Sequence, residues 1–203
     1  MNNSALIAKL AVAILSMAFA TGALADGHDR FKFRIGLKEV DPKSNNGFAA
    51  GEPVRVEDDI SLAFTGVYMF DENWGVELLA ALPFEHTIYV GDGIQASTKH
   101  LPPTLSGQYY FTNSSDFTPY LGVGINYTKF FSEKINVPAD LDLDASWGLA
   151  LQAGVDWAVN DSLIVNFEIR DIDISTDVNL NGTQVGKADI DPLTIGVNVG
   201  WQF

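Results

Sequence analysis

The last eleven residues, Leu193-Thr194-Ile195-Gly196-Val197-Asn198-Val199-Gly200-Trp201-Gln202-Phe203, alternate without a break between apolar and small or polar side chains. Successive side chains of a strand point to opposite faces, so this spacing writes one apolar face and one polar face. The same period runs through Trp147-Gly148-Leu149-Ala150-Leu151-Gln152-Ala153-Gly154-Val155-Asp156-Trp157 and Leu121-Gly122-Val123-Gly124-Ile125-Asn126-Tyr127-Thr128. Segments of about ten residues are the length a tilted strand needs to cross a bilayer. Outward from these three, the pattern predicts eight strands, near 30–40, 58–71, 73–85, 99–111, 117–131, 145–158, 162–175 and 189–203. Their connections alternate: short turns near Asp71-Glu72-Asn73, Thr112 to Asp116 and Val159 to Ser162, and long loops over 41–57, 86–98, 132–144 and 176–188. An even strand number with alternating short and long connections is the pattern of an outer-membrane barrel. In strand seven the apolar phase moves from Leu163-Val165-Phe167-Ile169 to Ile172-Ile174, which predicts a bulge near Arg170-Asp171.

The competing fold is a soluble eight-stranded barrel with an apolar inside. The residues between the apolar ones are mostly Gly, Ala, Asn, Gln and Thr, where a wet exterior would carry many Lys and Glu. Trp74, Tyr109, Phe111, Phe117, Trp157, Trp201 and Phe203 also gather beside the short turns, as an interfacial girdle does. The fold expected is therefore all-β, a transmembrane eight-stranded antiparallel up-and-down β-barrel whose apolar face meets lipid. Lipid cannot satisfy free backbone groups, so a spanning chain with no long apolar helix must close its sheet. A mean hydropathy of only +0.09 fits, because half of each strand need not be apolar.

Residues 1–25 stand apart. Lys9 precedes an apolar run from Leu10 to Ala20, and Ala23-Leu24-Ala25 offers small residues for cleavage, the layout of a secretory signal. The expected mature chain is a single barrel domain over 26–203. The full chain carries 12 basic and 26 acidic residues, a net charge of −14, which disfavours nucleic acid as a partner. There is no cysteine, so disulfides, thiolate metal sites and thiol catalysis are absent. No cofactor is expected. The aspartates 140, 142 and 144, or 171, 173 and 177, lack the glycine and glutamate of a calcium loop and read as solvated acidic loops.

Parity turns Lys32, Arg34, Lys38, Glu77, His100, Thr104, Gln108, Asn126, Gln152, Asp156, Asn166, Glu168 and Arg170 into the bore. Basic residues of the first strand can pair there with Glu77, Asp156 and Glu168, and a buried charge left alone would cost several kcal/mol. Eight strands enclose a space that side chains nearly fill, which excludes a wide aqueous pore. Leu79 and Ala81, with His100 and Thr104, form the candidate lining of a narrow channel. Phe48 and the stretch from Ile94 to Ala96 are candidates to cap an outer pocket. Pro83 on the third strand falls opposite Leu101 and Pro102 on the fourth, beside Pro103. Proline cannot donate to a ladder, so one seam is weakened from both sides and becomes the candidate lateral opening. A lipid-modifying enzyme would need a nucleophile and base together at the lipid side. His86, His100 and Ser97 are the candidates, with His28 near the start, and parity turns His100 away from lipid.

His100-Leu101-Pro102-Pro103-Thr104 and Pro119-Tyr120-Leu121-Gly122-Val123-Gly124-Ile125-Asn126-Tyr127-Thr128 resemble the OmpW family of outer-membrane proteins. So do Gly75-Val76-Glu77-Leu78-Leu79-Ala80, Ser146-Trp147-Gly148, Gly154-Val155-Asp156 and Ile190-Asp191-Pro192. Phe203 looks like the terminal aromatic read by the barrel-assembly machinery, although Trp201-Gln202-Phe203 departs from the usual Tyr-Arg-Phe. The resemblance implies an eight-stranded barrel around a narrow, largely hydrophobic channel in the outer membrane of a Gram-negative bacterium. Its surroundings would be lipid and lipopolysaccharide, and both termini would be periplasmic. The expected function is passive uptake of small hydrophobic molecules. The alternative is a surface interaction protein whose outer loops bind bacteriocin, phage or host without transport.

Overall fold

The structure, a computed structural model, describes residues 30–203. The signal segment therefore lies outside the described residues. Every regular element among those residues is a strand: β1 Phe31–Asp41, β2 Gly47–Ala49, β3 Glu52–Val56, β4 Asp59–Met69, β5 Trp74–Ala81, β6 Phe84–Val90, β7 Ile94–Leu101, β8 Thr104–Tyr110, β9 Phe117–Ile135, β10 Leu141–Leu143, β11 Ser146–Ala158, β12 Leu163–Ile172, β13 Ser175–Leu180, β14 Thr183–Asp189 and β15 Leu193–Gln202. Eight of these, β1, β4, β5, β8, β9, β11, β12 and β15, pair antiparallel in that order, and β15 pairs back onto β1. The sheet is a closed barrel, so no stave presents a free edge to lipid.

Alternation decides what faces where. Leu37, Leu105, Ile125, Leu149 and Val197 are exposed on the outside, while their neighbours Lys38, Thr104, Asn126, Ala150 and Asn198 are buried within. A ring of aromatics circles the end with the short turns. Trp74 meets Tyr109 at 4.9 Å between centroids, Phe117 meets Trp157 at 5.9 Å and Phe31 meets Tyr68 at 5.0 Å. Tyr127 and Trp147, 4.7 Å apart, mark the opposite level. The ten steps along β9 from Phe117 to Tyr127, at about 3.4 Å each and tilted by about 40°, give a lipid-facing band about 25 Å tall.

Beyond that band the four long connections are largely strand. They form strands that carry the wall upward in the hydrogen-bonded order β9, β7, β6, β3, β2, β14, β13 and β10. The long loops expected over 41–57, 86–98, 132–144 and 176–188 are thus largely strand. Short strands such as Gly47–Ala49 and Leu141–Leu143 carry too few residues for their period to show in a sequence. The proline-containing staves also differ from expectation. Pro83 and Pro102-Pro103 lie between strands, at the breaks between β5 and β6 and between β7 and β8, because a proline cannot complete a ladder.

No bulge occurs at Arg170-Asp171: β12 keeps one register against β11 and one against β15 through these residues. Ile172 and Ile174 are buried, on the same inward parity as Arg170. The apolar residues change sides because the bore changes character at that height, from charged below to apolar above. Small residues below make room for large ones. A side chain at Gly154 would meet the Tyr120 ring at 2.5 Å, and one at Gly122 would meet Gln152.

Candidate functional site

From the short-turn end upward, the bore has three parts. The lowest is a charged floor. Arg34 on β1 reaches Glu77 on β5 (3.2 Å) and Asp156 on β11 (2.8 Å), and it donates to the Tyr110 hydroxyl (2.9 Å). Arg170 on β12 reaches the other oxygen of Glu77 (2.7 Å) and also Glu168 (2.9 Å), and Lys38 closes on Glu168 at 2.7 Å. Lys32 lies 2.9 Å from Asp156. Gln108 donates to Glu77 (2.9 Å), accepts from Tyr110 (2.7 Å), and Asn166 joins Asp156 to the Tyr120 hydroxyl. Four cations and three carboxylates drawn from four staves thus interlock across the section. With Tyr110 and Tyr120 in contact at 5.0 Å, they seal it.

Directly above the floor lies a small cavity of about 10 Å³, whose lining includes Leu79, Ala81, Phe84, His100 and Pro102, with Lys38 at its base. Higher again is a larger cavity of about 50 Å³. Val54, Val56, Ile88, Ala96, Leu143 and Val178 are among its apolar walls. The two are separated by stacked rings. His86 and His100 lie 4.9 Å apart and nearly parallel, Phe84 packs on His100 at 5.4 Å, and Phe130 leans on it at 5.8 Å.

The wall beside the lower cavity is interrupted. The ladder between β5 and β8 ends at the pair Leu79 and Thr104, and that between β6 and β7 resumes at Phe84 and His100. Four residues, 80–83, face three, 101–103, without a ladder. The other side of each segment remains tied. Ala81 pairs with Ala63, the Leu82 amide donates to the Leu62 carbonyl, and Tyr127 donates to the Pro103 carbonyl. Asn126 holds the proline pair from within, donating to the carbonyls of Pro102 (3.1 Å) and Pro103 (3.3 Å) and to the Thr104 hydroxyl (3.0 Å). The gap is therefore framed on both flanks.

Over residues 28–203 the chain matches the family model described as OmpW family. It belongs to that family. Outer membrane protein W of Escherichia coli (strain K12) is 39% identical over 210 residues, covering 96% of this chain and 99% of the relative. The crystal structure of the outer membrane protein OprG from Pseudomonas aeruginosa superposes with a TM-score of 0.76 at 34% identity, covering 87% of this chain and 98% of that one. The solution structure of the E. coli protein W gives 0.61 at 36% identity, covering 86% and 98%. The chain is accordingly an OmpW-family barrel of the bacterial outer membrane, in contact with its lipid, in a family of outer-membrane barrel proteins.

In this OmpW-family barrel the candidate site residues have definite places, except His28, which lies outside the described residues. Leu79, Ala81 and His100 line the lower cavity, with Thr104 buried at its edge. Pro83, Pro102 and Pro103 border the gap, and Arg34, Glu77, Asp156, Glu168 and Arg170 make the floor. Phe203 is paired with Phe31 through the backbone at the short-turn end. Phe48 does not cap a pocket: it points outward and is exposed, whereas Ile94 and Ala96 do line the upper cavity. Phe84, Phe130 and the framing role of Asn126 were not singled out, because ring stacking and tethering across strands need a register the sequence does not state.

His86 and His100 lie above the Tyr127–Trp147 level, in the extension beyond the spanning staves. Burial, helped by the proximity of His86, pushes His100 down to about 3, and burial lowers His86 as well. A histidine whose folded value is depressed stabilises the fold fully above its ordinary 6.5, and that contribution is lost as pH falls toward the folded value. The urea midpoint of the folded barrel is expected to drop between pH 6.5 and 3, and a His100→Phe variant to drop measurably less.

Proposed function

We propose that the protein is a passive conduit that takes small hydrophobic molecules in at the extended end and releases them sideways, through the gap between β5–β6 and β7–β8, into the membrane. One observation carries this reading: the two apolar cavities end on a charged floor, and the gap opens beside the lower one. Ala81 and Pro102 belong to both the cavity lining and the gap. An apolar solute gains nothing by entering the floor, where it would displace paired charges. Lipid on the other side of the gap takes it without that cost. No energy source is needed beyond the gradient.

In this reading the short-turn end and both termini face the periplasm and the extended wall stands in the lipopolysaccharide layer. Phe203 serves as the assembly signal for the barrel-assembly machinery. Catalysis is disfavoured by geometry. His86 and His100 face the bore, and Ser97, alternating with Thr98, points to the opposite face.

The barrier that such a conduit bypasses is the lipopolysaccharide leaflet, so the test belongs in intact cells. Cells bearing the protein are expected to take up radiolabelled decane several times faster than cells lacking it. Leu79→Trp, which fills the lower cavity with an apolar ring, is expected to return uptake to the background. Uptake unaffected by the protein would reject the conduit, and loss of phage or bacteriocin binding on loop replacement would favour the receptor.

A further inference from the structure

The stacked histidines carry more information than an apolar lining requires. Each is about 1% exposed. His86 Nδ1 lies 2.5 Å from the Glu57 carbonyl oxygen, which only accepts, so Nδ1 carries the proton and Nε2 presents a lone pair. His86 Nε2 has no hydrogen-bond partner, and neither has His100 Nδ1. His86 lines the upper cavity and His100 the lower, so the stacked pair that buries these two nitrogens stands between two apolar chambers. A buried polar atom left alone costs about 1–3 kcal/mol. Phenylalanine would have filled the same stack, as it does at positions 84 and 130, without that cost.

We propose that His86 and His100 form a polar rung that selects apolar molecules bearing a single hydroxyl group over plain hydrocarbons. His86 Nε2 accepts the hydroxyl hydrogen. His100 Nδ1, one ring away in the stack, offers the next unpartnered nitrogen to a hydroxyl passing between the chambers. The hydrocarbon tail lies in either chamber. A carboxylate is a poor fit, because it brings a second lone pair toward the one at His86 Nε2. A chelated metal ion is a poor fit too, since rings only 14° from parallel do not converge their lone pairs on one point.

For transport this deepens the conduit reading and rests on it; the binding test below does not. Protein labelled with ¹⁵N-histidine in lipid nanodiscs is titrated with 1-decanol, decane and decanoate. The His86 and His100 ring nitrogen signals, assigned with single phenylalanine variants, are expected to move with decanol alone. In cells, the His86→Phe, His100→Phe double variant is expected to lower decanol uptake about tenfold relative to its own decane uptake, the scale of one buried hydrogen bond. His86→Gln, which retains an acceptor, is expected to restore most of the decanol rate. Ring signals that ignore decanol, or answer equally to decane or decanoate, overturn the rung. So does an equal loss of both fluxes. If the ring signals respond while the protein speeds neither solute into cells, the rung stands and the conduit falls.

Discussion

Oxidation of a Leu82→Cys, Leu101→Cys pair is expected to bring decane uptake down to that of cells lacking the protein, and reduction to restore it. Extending the β5–β8 register three residues past Leu79 and Thr104 sets these positions opposite one another across the unpaired segment. The chain has no other cysteine, so the bond formed is unambiguous and its presence is read from the mass under non-reducing conditions. The lock acts on the gap alone. The charged floor, the ring stack and the ladders from β4 and β9 that hold each flank are untouched. If the solute leaves through the floor instead, the disulfide changes nothing, and that result would reject lateral release while leaving the conduit itself standing. Replacing Pro102 and Pro103 by alanine works in the same direction but more weakly, since it returns two amide donors without forcing them to pair.

The gap illustrates what a sequence discloses and what it withholds. Proline at positions 83, 102 and 103 announces a missing donor wherever it stands, so the weak seam follows from composition once two strands are paired. Alternation likewise suffices to turn Arg34, Glu77, Glu168 and Arg170 to one side, since parity fixes the face. It does not say which face chemistry a given height requires. Ile172 and Ile174 look like a slipped phase because a polar bore is assumed throughout, when the bore turns apolar at their level and the register never slips. The upper wall is invisible for a related reason. Its strands are short, and they pair with partners far along the chain, as Gly186 does with Ala49, so nothing local marks them. The same distance hides the tether from Asn126 to the proline carbonyls.

The floor makes the second strong demand. Glu77 is fully buried between two guanidinium groups, with Arg34 on one carboxylate oxygen and Arg170 on the other, and Gln108 adds a third hydrogen bond. Glu77→Leu removes the anion and leaves both arginines in a closed section of the bore. The expected loss is about 3–5 kcal/mol of folding stability, the range for breaking one partner out of a buried charge network. Urea unfolding of the barrel in lipid vesicles measures it. Removing all the charges together tests the cause. A Glu77→Leu, Arg34→Met, Arg170→Met triple variant strips the centre of the cluster and fills it with apolar groups, so much of the loss is expected to return. Residual cost is expected at Asp156 and Glu168, which keep Lys32 and Lys38 but lose an arginine each. A triple variant as unstable as Glu77→Leu alone would mean that packing around Leu79 and Tyr110, rather than the unpaired cations, sets the cost. The same variant bears on transport: with an apolar floor beneath the lower cavity, the step that confines the solute to the gap disappears, and the Leu82–Leu101 lock should then block uptake only in part.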